Sequence, residues 1–192
     1  LAKAQRAQRV NQRYIFAPEC AFYFSKTFPA GNILEAGSGT GGTSLFIKKT
    51  NHKLIAADMT YEALRFCKQN DKIDYTLQTD IFKLPIKSNS LTGIWNSGVM
   101  EHFEIEDLRS LLKEFNRALT GDGKILFFWP NRKLPVSWFA DKLVERFNLS
   151  IPRCVWDPSK EDITILLKEA GFNNIKIKTS FTLDHYIVMA QK

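Results

Sequence analysis

Four acidic or amide side chains recur at the ends of short apolar runs: Glu35 within 33–36, Asp58 after 53–57, Asp80 after 73–77 and Asn96 after 91–95. Glu35 is followed almost at once by Gly37-Ser38-Gly39-Thr40-Gly41-Gly42. Glycine accepts φ > 0 and lets backbone close on a ligand, and the N–H groups opening a following helix favour an anion. The loop therefore reads as a cradle for the negatively charged part of a cofactor. Counted as Gly37, Gly39 and Gly42 it also fits G-x-G-x-x-G, so spacing leaves a dinucleotide and other nucleoside cofactors open. Asp58 stands 21 residues past Gly37, where a carboxylate can take both ribose hydroxyls through bonds worth roughly 1.5–3 kcal/mol each.

These residues converge only if the runs are neighbouring parallel strands whose carboxyl ends share one rim. The pattern predicts strands over 33–36, 53–57, 73–77, 91–95 and 124–129, with a crossover helix over 43–50. Thr60 can cap the helix after the second strand, turning Ala63, Leu64 and Cys67 inward. After the fourth strand Ile105, Leu108, Leu111, Leu112, Phe115 and Leu119 recur at helical spacing, and Gly121-Asp122-Gly123 is read as a turn. Ser159 and Asp162 predict a capped helix that stops at Gly171. Residues 175–179 and 183–190 predict an antiparallel hairpin.

The 192 residues suit a single domain, with 1–30 a helical leader covering the cofactor side and 130–158 a substrate-side cover. Pro18 marks the start of the leader's second helix, and Pro29-Ala30-Gly31 closes it. The net charge of +7 favours an acidic or phosphate-bearing partner. Part of it lies in Lys3, Arg6, Arg9 and Arg13, one face of a basic leader helix that reads first as a solvated surface. Cys20, Cys67 and Cys154 lack disulfide or metal spacing, so no metal is expected. With no apolar span or secretory signal in the sequence, the expected compartment is the cytoplasm.

Four blocks, Leu34-Glu35-Ala36-Gly37-Ser38-Gly39-Thr40-Gly41, Ala57-Asp58-Met59, Thr79-Asp80-Ile81 and Asn96-Ser97-Gly98-Val99-Met100-Glu101-His102-Phe103, resemble the class I S-adenosylmethionine (SAM) dependent methyltransferases. The resemblance implies an α/β, Rossmann-like three-layer sandwich with a mostly parallel seven-stranded sheet ending in an antiparallel hairpin. It implies that Glu35, Gly37, Ser38, Gly39, Thr40 and Gly41 hold the methionine part of SAM, Asp58 the ribose and Met59 the adenine face. Asp80 and Ile81 would meet the adenine edge, and Asn96 with Ser97 would complete the cofactor site. An acid common in the family's fourth strand is replaced here by Thr92, which puts local packing in question.

SAM brings an activated methyl group, so an enzyme of this kind needs positioning more than a catalytic group. Glu101 and His102, just past the fourth strand, are placed to take a proton from a hydroxyl acceptor. The expected acceptor is a small molecule with an acidic or aromatic group, met by Trp129, Trp138, Phe139, Trp156, Arg132, Lys133 and Arg153, although these aromatics serve equally to pack the cover onto the sheet. Two alternatives stand beside it: an NAD(P)-dependent oxidoreductase, and an RNA-directed methyltransferase or SAM-binding module using the basic leader.

Overall fold

The structure is a computed structural model that describes residues 16–48, 51–131, 155–181 and 185–192. The basic face of Lys3, Arg6, Arg9 and Arg13 lies outside these residues, as do Arg132, Lys133, Trp138, Phe139, Arg153 and Cys154.

Helix α1 (Ala17–Thr27) opens on Pro18, carries Glu19 in its first turn and Lys26 in its last, and buries Ala17, Cys20, Phe24 and Thr27 as one stripe. Among the described residues seven strands follow: β1 (Ala30–Ala36), β2 (Asn51–Asp58), β3 (Tyr75–Gln78), β4 (Leu91–Ser97), β5 (Leu119–Pro130), β6 (Asn173–Thr179) and β7 (His185–Gln191). Helices α2 (Tyr61–Cys67), α3 (Ile105–Ala118) and α4 (Lys160–Glu169) connect them. The sheet runs β3-β2-β1-β4-β5-β7-β6. The five strands from β3 to β5 are parallel, whereas β7 is antiparallel to both β5 and β6.

Alternate residues of the central strands supply two cores, as a sheet covered on both faces requires. On one side Ile33, Leu54, Trp95, Leu126 and Phe128 pack under Cys20, Phe24 and Phe28 of the α1 segment. Phe24 meets the Trp95 ring edge-on at 5.4 Å. On the other side Leu34, Ile94, Ile125 and Phe127 pack against Leu108, Leu111, Leu112 and Phe115 of α3 and Ile163, Leu166 and Leu167 of α4. Gly93 is small because Phe28 needs the space: a Cβ there would lie 2.4 Å from the ring.

Both ends of α4 follow the sequence reading. Ser159 and Asp162 form a reciprocal capping box, and Gly171 at φ +86° lets Phe172 N–H reach the Leu167 carbonyl at 3.0 Å. Thr92 also finds its role. Its hydroxyl donates to Asn32 O at 3.2 Å and Ala30 O at 3.3 Å, stitching β4 to the start of β1, where Gly31 at φ +103° leaves it room.

Three expectations are corrected. The crossover helix over 43–50 is only a 3-10 turn at Ser44–Phe46 among the described residues, because the chain already turns extended at Ile47, with ψ 123°, before β2 begins at Asn51. Thr60 occupies the position before α2, yet its side chain makes no capping bond. Gly121-Asp122-Gly123 does not separate elements, since β5 already begins at Leu119. Instead Leu119 pairs with Leu91 and Lys124 with Gly93, so the glycines form a bulge within the ladder. Helix α1, within the part of the leader that the structure describes, packs on one face of the sheet.

Candidate cofactor and methyl-transfer site

Parallel pairing sets the carboxyl ends of β3, β2, β1 and β4 side by side, with Asp58 level with Gln78 and Ala36 level with Ala57. The glycine loop grows from β1 and is tied down from its neighbours. Gly37 and Ser38 N–H both donate to Ala57 O, at 2.8 and 3.0 Å, and Gly41 N–H donates to Ser38 O at 2.9 Å. Asp58 Oδ2 accepts from Gly39 N–H and its Oδ1 from Thr60 N–H, each at 2.8 Å. One carboxylate therefore braces the loop while each of its oxygens keeps capacity for a further donor.

Gly37, Gly39 and Gly41 have φ of +70°, +51° and +70°. A Cβ on Gly39 would meet nothing within 4 Å, so open space lies over the middle of the loop; one on Gly37 would lie 2.7 Å from Val99 Cγ2. Gly42 has no such φ and no atom nearer than 3.9 Å to its Cβ position. The conformationally demanding set is thus Gly37, Gly39 and Gly41, not the G-x-G-x-x-G set. Gly41→Ala is expected to cost about 1–3 kcal/mol through its φ and its contact with Ile73, and Gly42→Ala less than about 0.5 kcal/mol, as urea unfolding would measure.

Glu35 is 4% exposed and accepts a hydrogen bond from Ser44 Oγ. Burial pushes its carboxyl up from 4.5 to about 8, against the opposite pull of the Ser44 bond. It is an acid kept neutral at the inner end of the cradle. Asn96 is fully buried; its Nδ2 donates to Met100 Sδ at 3.2 Å, while its Oδ1 has no partner among the described residues. A buried amide oxygen without a donor costs about 1–3 kcal/mol, so it is an acceptor awaiting one.

At the β3 side Gln78 Nε2 donates to Met59 O at 3.1 Å, linking two strand ends. Asp80 is exposed and its Oδ1 accepts from Phe82 N–H at 2.9 Å. Met59 stands 68% exposed, whereas Ile81 is 7% exposed and belongs to the main core. Ser97 closes β4, and Thr40 lies exposed at the loop's tip. Beyond β4 a 3-10 turn at Met100–His102 presents Glu101, buried, with its Oε1 3.9 Å from His102 Nε2. Glu101 O also accepts from Val155 N–H at 2.7 Å, anchoring the end of the cover. Trp129 and Trp156 meet edge to face at 5.6 Å, which favours packing as the role of these two rings.

Sequence reading missed Ser44, Cys67 and Asn70. Cys67 Sγ donates to Gly39 O at 3.2 Å and Asn70 Nδ2 to Gly41 O at 3.3 Å. Burial, with the Glu35 and Asp58 carboxylates adding to it, holds the Cys67 thiol above its ordinary value, so it stays a donor. Cys67 and Asn70 act on residues 28 and 29 positions away and Ser44 on one nine away, so no local pattern marks them. Among the described residues no helix is long and apolar enough to cross a membrane.

Residues 34–127 match the family described as "Methyltransferase domain". The malonyl-[acyl-carrier protein] O-methyltransferase of Hamiltonella defensa is 30% identical over 95 residues, 50% of this chain and 36% of that protein. Its namesake from Erwinia pyrifoliae is 26% identical over 129 residues, 66% of this chain and 48% of that one. The chain thus spans half or less of the length of these curated relatives. Among solved structures, a SAM-dependent methyltransferase from Archaeoglobus fulgidus superposes with a TM-score of 0.75 at 17% identity, covering 92% of this chain and 93% of that one. One from Aquifex aeolicus gives 0.70 at 15% identity, covering 99% and 97%. With the strand order, the antiparallel end and the glycine cradle already in place, these matches give residues 34–127 a methyltransferase domain and the chain the fold of SAM-dependent methyltransferases.

Proposed function

We propose that this chain binds SAM at the rim formed by Gly37–Gly42, Asp58 and Asn96 and methylates a small-molecule acceptor, at oxygen. The observation that carries this reading is the combination of open space over Gly39, a carboxylate at Asp58 and an unpaired, buried Asn96 Oδ1 at adjoining strand ends. These suit a cofactor with an amino-acid end and a ribose, and nothing in the set calls for a pyrophosphate. Asp58 would take the ribose hydroxyls, Asn96 Oδ1 a donor of the amino-acid end, and Asp80 with Ile81 and Met59 the adenine. Oxygen as the methylated atom is supported by the names of the relatives, both of them O-methyltransferases.

When bound, SAM supplies a methyl group already activated as a sulfonium. The chain's residues then have to hold the acceptor oxygen in line and shut out water, a positioning effect worth roughly 7–11 kcal/mol. His102 would receive a proton from a hydroxyl acceptor, with the Glu101 carboxylate 3.9 Å behind it steadying the imidazolium. A carboxylate acceptor would need no base. The buried thiols of Cys20 and Cys67 suit a reducing cytoplasm.

The test is to incubate the protein with methyl-labelled SAM and a fractionated cell extract, alongside calorimetry with SAM and with NAD. Label entering a low-molecular-weight or carrier-bound acyl fraction is the expected result. Tight NAD binding without SAM binding would overturn the reading.

A further inference from the structure

The hydrogen bonds of the glycine loop separate its donors into two groups. Within residues 37–42, the N–H groups of Gly37, Ser38, Gly39 and Gly41 are consumed by Ala57 O, Asp58 Oδ2 and Ser38 O. Those of Thr40 and Gly42 have no acceptor among the described residues. Each belongs to a peptide group whose other end is gripped by α2 and the turn after it: Cys67 holds Gly39 O, in the peptide plane of Thr40 N–H, and Asn70 holds Gly41 O, in that of Gly42 N–H. In a planar trans peptide the N–H points opposite to the C=O. Pulling both carbonyls toward Cys67 and Asn70 therefore turns both N–H groups away from them.

We infer that Cys67 and Asn70 are positioning residues that aim the Thr40 and Gly42 N–H groups, as a pair, at the carboxylate of the cofactor's amino-acid end. The inference rests on the SAM-binding reading above and adds to it which donors act and what directs them. Asn70 is built for this. It is 6% exposed, and its Oδ1 is independently engaged by Lys72 N–H at 3.0 Å, so its amide cannot flip without losing one bond or the other. Cys67 is fully buried, and its sulfur also lies 3.8 Å from Ser38 Oγ beneath the same loop. A Cβ on Gly41 would lie 3.1 Å from that sulfur, which shows how closely the loop rests on it.

The experiment compares two ligands by calorimetry: SAM, which has the amino-acid carboxylate, and 5′-methylthioadenosine, which lacks it. The variants are Asn70→Asp, which keeps the acceptor for Lys72 N–H but loses the donor to Gly41 O, and Cys67→Ala with Cys67→Ser as the donor-retaining control. Asn70→Asp and Cys67→Ala are each expected to weaken SAM about 3- to 10-fold, the worth of one lost hydrogen bond, with 5′-methylthioadenosine held at its wild-type affinity. Cys67→Ser is expected to recover most of the SAM affinity. Equal losses for both ligands, or none in any variant, would overturn the positioning role. A wild-type protein that binds neither ligand would instead overturn the SAM reading itself, and Asn70→Asp alone decides the question if the core substitution at Cys67 fails to fold.

Discussion

Asp58→Ala is expected to remove SAM binding from calorimetric detection while leaving a folded domain. Two effects compound. The proposed ribose contacts are two charge-assisted hydrogen bonds at roughly 1.5–3 kcal/mol each, so their loss alone weakens binding by about 10² to 10⁴. The same substitution frees Gly39 N–H and Thr60 N–H, both held at 2.8 Å by this carboxylate, and so loosens the loop that must present the other donors. Asp58 is only partly buried at the end of β2 and belongs to neither large core cluster, so the fold itself should lose little. Circular dichroism and urea unfolding provide the control. Asp58→Asn should fall between the two, since an amide oxygen still accepts but carries no charge. Wild-type SAM affinity in the alanine variant would show that the ribose lies elsewhere.

The second large effect is a pH dependence of stability owed to Glu35. Its folded value of about 8 lies well above the ordinary 4.5, and burial is the main cause. A carboxyl raised in this way binds its proton more tightly in the folded chain than in the unfolded one. Its contribution is therefore fully present below about pH 4.5 and is lost as pH climbs to about 8, a fall on the order of 4 kcal/mol. Glu35→Gln keeps an acceptor for the Ser44 hydroxyl and cannot ionise, so its stability should lack this slope. Glu114 works in the opposite sense: the Arg117 bond holds its carboxyl below the usual range, and its contribution is lost only as pH falls. Between pH 5 and 8 the difference between wild type and Glu35→Gln thus isolates Glu35, the histidines being common to both. Parallel unfolding free energies for the two proteins across that range would sink the assignment.

The centre of the sheet was legible because β1, β2, β4 and β5 each hold a short apolar run, and Glu35, Asp58, Asp80 and Asn96 all lie at or near the rim as expected. The terminal hairpin and the Ser159 cap were legible for the same local reasons. The segment after Gly42 was misread because apolar spacing over a few residues does not distinguish a helix from one 3-10 turn, and the backbone is already extended at Ile47. Gly121 and Gly123 looked like punctuation, yet a bulge places the same residues inside a strand. Gly41 and Gly42 could not be ranked in sequence, because only the backbone shows which has φ > 0. Cys67 was read as inward and is buried, but the hydrogen-bonding roles of Ser44, Cys67 and Asn70 were invisible, since each is a contact made only after folding.

The last of the described strands in chain order occupies an interior place in the sheet. β6 pairs only with β7, and β7 lies between β6 and β5. While the ribosome is still decoding residues 185–191, β6 has no rung to join and the outer flank of β5 stays bare. Translation order and assembly order therefore diverge, and a nascent chain stalled short of His185 would display two open backbone edges. Nonsense truncation there should yield a protein captured by holdase chaperones rather than one with merely reduced turnover.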